Sequence, residues 1–259
     1  MTSRHSTTIR RLGRAQRGFT LVELMITVAI ALFLLGGLVT ILQNVRAAYN
    51  SQQALAQLSD QQRFAMTVLT DVIQAGGYFP DPVVWQPTTA LPLAGAYAAG
   101  QAFTGTYGAG APDSIGVRYR TALNDGVILC DGSSNTAPPP GSQLYTNVFT
   151  VVPPAPPVPG QLTCSLNGAA AVVLVNGVQN LLVHYGVKRD FTTNDYNVDT
   201  YLRADQMSAN DWSNLSSVRL IVTFTNPLFG QPGQAPGQQP ATITFERVVE
   251  VMARAGPHT

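Results

Sequence analysis

In the stretch RGFTLVELMI, residues 17–26, an otherwise apolar run holds one carboxylate, Glu23. An ionised side chain at the centre of a bilayer costs about 2.5–3.5 kcal/mol or more. Glu23 therefore calls for a cationic partner, the alternative being a carboxylate at the membrane edge that reaches the headgroups. Two other groups have chemistry-bearing types. Cys130 and Cys164 are the only cysteines, and a single pair in an exported chain reads as a disulfide, the alternative being two free buried thiols, with too few candidate partners for a metal site. Asp195, Asn197 and Asp199 alternate within RDFTTNDYNVDTY and offer oxygen ligands for Ca²⁺. That segment lacks the glycine of a calcium loop, and Gln206 stands where the bidentate glutamate belongs, so a polar hairpin tip explains it equally. His5, His184 and His258 pair with no recognisable nucleophile motif, and neither G-x-S-x-G nor H-E-x-x-H occurs. An enzyme is not expected, and neither is any cofactor beyond the calcium candidate.

The elements that position these residues follow from charge and periodicity. Arg4, Arg10, Arg11, Arg14 and Arg17 crowd the first seventeen residues. Without them, ten basic residues face fourteen acidic ones. A mildly acidic body speaks against binding nucleic acid through phosphate neutralisation. Phe19 to Leu42 is long and apolar enough to span a bilayer. The arginines before it would stay cytoplasmic and everything after Arg46 would lie outside. Residues 46–75 contain neither proline nor glycine, and Leu55, Leu58, Ala65, Leu69 and Val72 recur at helical spacing, with Gln62 interrupting the stripe. Gly76-Gly77 is a stop signal. The spacing predicts one helix from Phe19 to Ala75, about 85 Å long, with Gly36-Gly37 as its weak point.

Beyond Tyr78 the pattern becomes short apolar runs between turns. Strands are expected at Asp113–Ala122, Gly126–Cys130, Leu144–Val152, Ala170–Val175, Leu181–Val187, Ser217–Phe224 and Ala241–Val251. The layout is α+β. Leu91–Ala111 is rich in Ala and Gly, and its GTYGAG lacks the context of a phosphate loop. The proline-rich Pro153–Gly160 and the loop Gly230–Pro240 read as extended connectors.

GFTLVEL, Gly18 to Leu24, resembles the type III signal of type IV prepilins and pseudopilins: a basic leader, Gly, an aromatic residue, and Glu four positions later. Four further segments, Arg63–Tyr78, Leu129–Gly132, Val175–Val187 and Asp211–Phe224, resemble the PilW family of minor pilins, in the expected order. The ending FERVVEVMARA departs from that family's arginine-rich one. The resemblance implies a type IV pilin-like fold, with the long helix packed on an antiparallel sheet. It implies a leader at 1–18 cut between Gly18 and Phe19 by a prepilin peptidase, followed by N-methylation of Phe19. The freed amine of a neighbouring subunit is then the implied partner of Glu23. The resulting division is a membrane half at 19–45, an amphipathic extension at 46–77 and a periplasmic domain at 78–259.

The same resemblance implies a structural subunit in the inner membrane, later in the pilus at the cell surface. Its partners would be other minor pilins, the major pilin and the inner-membrane assembly platform. Alternative readings are a minor pseudopilin of a type II secretion system, a pilus-tip adhesin or DNA-uptake component, and a membrane-anchored enzyme.

Overall fold

A computed structural model describes residues 18–136, 141–192, 197–231 and 237–252. The chain divides into two compact units, one ending at Gln52 and the other running from Gln53. Helix α1, Leu21–Gln74, contributes to both.

In the first unit every described residue of α1 except Ser51 is exposed, including Leu24, Ile30, Phe33, Leu38 and Leu42. This part is long and apolar enough to cross a membrane. A helix apolar on every side has no aqueous face and is suited to lipid or to packing among other apolar helices. Gly36 and Gly37 face open space, and Thr40 Oγ1 donates to the Gly36 carbonyl.

In the second unit α1 becomes one-sided. Leu58, Ala65, Met66, Leu69, Val72 and Ile73 are buried, a stripe at intervals of three and four residues. Leu55, expected on this stripe, is 40% exposed. It lies about 100° around the helix from the half-buried Ala54, outside the covered face. After Gln74 the chain leaves the helix through Gly77, whose φ of +83° favours glycine. Its amide donates to the Arg118 carbonyl, and the Arg120 amide donates to the Tyr78 carbonyl.

Among the described residues nine strands form two antiparallel sheets rather than the single one expected. The first follows chain order: β1 (Phe103–Thr106), β2 (Ser114–Thr121), β3 (Gln143–Val152), β4 (Gln161–Leu166) and β5 (Val172–Asn176). The second contains β6 (Val178–Val187), β7 (Thr200–Leu202), β8 (Leu215–Thr225) and β9 (Thr242–Glu250), in the order β7-β6-β8-β9. Gly177, at φ +83°, turns the chain from β5 directly into β6 and so from one sheet to the other. The α1 stripe and strand residues of both sheets, among them Ile115, Phe149, Leu181, Leu220 and Phe224, form one apolar core. Two short helices, α2 (Pro87–Ala90) and α3 (Ala209–Ser213), sit in the connections.

Gly126–Cys130 is not a strand; it belongs to an irregular loop whose single bridge joins Ile128 and Ser134. Asp125 organises it by accepting from the amides of Ala122 and Val127. Conversely, β1, β4 and β7 arise where no strand was expected.

Candidate assembly segment and the domain behind it

Gly18, Phe19 and Thr20 precede the helix and are exposed, Phe19 at 81%. Thr20 sits at the helix start. Its Oγ1 accepts from the Glu23 amide at 3.3 Å, and its hydroxyl donates to Glu23 Oε2 at 3.4 Å. Thr-x-x-Glu is the sequence signature of a capping box, in which a side chain satisfies one of the helix's orphan amides. The signal TLVE is visible in the sequence. A carboxylate in the first turn also meets the positive end of the helix dipole. Glu23 thus has a local role as well as an exposed head available to a cation, four residues beyond Phe19.

The cysteines lie in the other unit. Cys130 and Cys164 form a disulfide, both fully buried, with Cα atoms 6.2 Å apart. Cys164 comes from β4. Cys130 is held by its amide, which donates to the buried Asn147 Oδ1 of β3 at 3.0 Å, and nearby Tyr119 donates from its hydroxyl to the Ile128 carbonyl. The bridge fastens the loop after β2 to the strands beside it.

Among the calcium candidates, Asp195 lies outside the described residues. The carboxylate of Asp199 accepts from the amides of Arg189 and Asp190, at 3.0 Å and 2.6 Å to Oδ2. These hydrogen bonds hold its pKa below the usual carboxylate range. Asn197 is exposed. Asp199 is therefore a loop staple whose lone pairs are already engaged, and the described residues contain no cluster of three metal-ligating side chains. His184 stands opposite Arg219 in the β6–β8 register, and its Nδ1 is buried without a hydrogen-bond partner among the described residues.

Two charged arrangements were not anticipated from the sequence. Arg118, in the middle of β2, is fully buried. Its Nε donates to the Gln101 carbonyl, Nη1 to Pro92, and Nη2 to Leu91 and Ala98. The guanidinium lies 4.6 Å from the centre of the Tyr97 ring. Burial lowers its pKa, as expected for a desolvated cation. Arg120, two residues on and facing the same way, binds the Ala90 and Ser142 carbonyls and stacks over Trp85. Arg118 holds down the Ala/Gly-rich segment that composition alone marks as irregular, and Arg120 the residues just before it.

The second is an ion pair. Arg189 meets Asp211 with two bonds, Nη2 to Oδ2 at 2.7 Å and Nε to Oδ1 at 3.1 Å. Asp211 also accepts from the amide and hydroxyl of Ser208, the N-cap of α3. The hydrogen bond from Arg189 holds the Asp211 carboxyl far below the usual range.

Residues 160–249, β4 through nearly all of β9, match the family described as Type IV Pilus-assembly protein W. Residues 13–39 match the prokaryotic N-terminal methylation motif. Among solved structures, a type IV-like pilin from Thermus thermophilus aligns at 15% identity and a TM-score of 0.42, covering 75% of this chain and 95% of that one. No curated protein matches the sequence. With a methylation motif on its apolar helix and the PilW match across its C-terminal strands, this chain is similar over those two stretches to the PilW family of pilus-assembly proteins.

Proposed function

We propose that the chain is cut between Gly18 and Phe19, methylated on Phe19, held in the inner membrane by α1 with residues 78–259 in the periplasm, and then drawn into the pilus. The single observation that supports this is the arrangement at the helix start. Gly18-Phe19 is exposed just before a helix apolar on all sides, and Glu23 is the only acid in that apolar stretch. Cleavage creates an amine on Phe19. Once helices of neighbouring subunits pack side by side, that amine neutralises Glu23, and a carboxylate otherwise costly in a medium of low dielectric becomes tolerable. Thr20 holds the first turn in shape meanwhile. The domain behind the helix supplies the surfaces that select other minor pilins and the major pilin.

Mass spectrometry of filaments sheared from cells tests the processing: the expected product is a chain beginning at methylated Phe19. A chain retaining Gly18 in cells with an active prepilin peptidase overturns it. Glu23→Ala tests the pairing. The variant should insert and be cleaved but be depleted from filaments, and normal incorporation refutes the role given to Glu23.

A further inference from the structure

Beyond β9 the chain passes the far end of α1. Val251 is still held there, its amide donating to the Ser216 carbonyl, and Met252 follows with 62% of its surface exposed. Met252 lies against a groove of about 450 Å³. The other walls include Asp71 and Gln74 in the last turn of α1, Tyr78, and Val127 and Ile128 of the loop after β2. Ile128 is 56% exposed and Tyr78 37%, so three large side chains with apolar surface are gathered here without a cover.

The charge of the groove is one-sided. Asp71 is an exposed carboxylate in the last turn of a helix, where the helix dipole is already negative, and that turn holds no basic residue. Asp71 has no ion-pair partner among the described residues. Asp125 stands close enough to Tyr78 to add to the rise that burial causes in its pKa. Among the described residues no Lys, Arg or His lines the groove. The place suits a segment that brings a cation and some apolar surface, and no acid. Residues 253–259 lie outside the described residues, and their sequence, ARAGPHT, has that composition. Arg254 comes two positions after Met252.

We propose that the groove receives residues 253–259 of the same chain, with the Arg254 guanidinium paired to Asp71 and the rest of the segment over Tyr78 and Ile128. The tether selects this occupant over the same segment of a second copy or a basic segment of another protein. A segment fixed at Met252 meets the groove at an effective concentration of about millimolar, above that of a free partner. Its reach suffices, since an extended chain spans about 3.3–3.6 Å per residue. The proposal concerns the second unit alone and stands apart from the processing and Glu23 pairing proposed above.

Trypsin cuts after arginine, so its cleavage between Arg254 and Ala255 reads the docking, followed by mass spectrometry on the full chain in detergent micelles. When release and return are fast, cleavage tracks the population of the released form. The expected result is slower cleavage at this bond than in a synthetic peptide of residues 251–259. Asp71→Asn should speed it about two- to fivefold, the range open to an exposed ion pair. Ile128→Ser, which takes apolar surface from the groove, should speed it as well. Asp60→Asn, an exposed acid elsewhere on α1, should leave the rate unchanged, and the body of the second unit should stay intact in every digest as a sign of correct folding. Cleavage in the full chain as fast as in the peptide, a rate that either groove variant leaves unchanged, an equal effect of Asp60→Asn, or protection that fades on dilution, as a second copy would give, each overturns the proposal.

Discussion

Asp113 Oδ2 accepts the Val183 amide proton at 2.9 Å, across a separation of 70 residues. In return, the Asp113 amide donates to the Leu181 carbonyl at 2.8 Å. Its other carboxylate oxygen, Oδ1, accepts from the Gly108 amide. A residue just before β2 thereby completes the edge of β6 and ties the two sheets together. Buried edge groups without partners cost about 1–3 kcal/mol each.

Replacing Asp113 with alanine leaves the Val183 and Gly108 amides unpaired. The expected loss is about 2–4 kcal/mol of stability, read as a lower thermal midpoint of the full chain in detergent micelles. An unchanged midpoint would show that water replaces the carboxylate at no cost.

Arg118→Met removes the donors for four carbonyls and should destabilise the second unit by about 1–3 kcal/mol or more. Arg118→Lys keeps the charge but not the planar fork. It should fall between the two, because one ammonium cannot reach oxygens on Leu91, Pro92, Ala98 and Gln101 together. Limited proteolysis within 91–101 is the direct measurement: cleavage should rise in the order Arg, Lys, Met.

The Arg189–Asp211 pair predicts a pH dependence with a definite sign. In the folded chain the Asp211 carboxyl titrates below its unfolded value, so the folded state holds fewer protons on this group. Its stabilisation is therefore fully present above about pH 4, the ordinary aspartate value, and is lost as pH falls further. Asp211→Asn should lower the urea midpoint at pH 7 and make progressively less difference between pH 4 and pH 2. A difference that grows on acidification contradicts this.

Reduction of Cys130–Cys164, or Cys164→Ser, releases a loop of 34 residues in sequence separation. By chain entropy that costs about 3–4 kcal/mol. Denaturant midpoints of the oxidised and reduced chains measure it.

How far the sequence reveals this molecule depends on where each element's partners come from. Helix α1 is legible from end to end because its signals are local: an apolar run, a helical stripe and Gly76-Gly77. The strands β2, β3, β5, β6, β8 and β9 show as partly apolar runs of six or more residues between turns. The strand β4 is hidden because QLTCSL is short and half polar, with Gln161, Thr163 and Ser165, and follows straight after a proline-rich connector. What makes it a strand is its pairing on both sides, including the Thr150–Thr163 hydroxyl contact at 2.9 Å. Gly126–Cys130 misleads in the opposite way. Its apolar residues serve the disulfide and the core, with Leu129 and Cys130 buried, but no neighbouring strand accepts them. In the assembly segment Gly18, Phe19 and Glu23 are legible as a linear motif. Arg118 is not, since an arginine within a strand reads as solvent-facing until the segment that covers it is known.

That covering segment has a further property. Apart from the Tyr97 ring it lies over, Arg118 grips main-chain oxygens, on Leu91, Pro92, Ala98 and Gln101, and asks nothing of the side chains at Leu93, Ala94, Ala96 or Ala99. A clasp of this kind is indifferent to spelling. The outer surface of the loop is free to drift across lineages and present new faces to the surroundings, while its backbone stays moored to the same guanidinium.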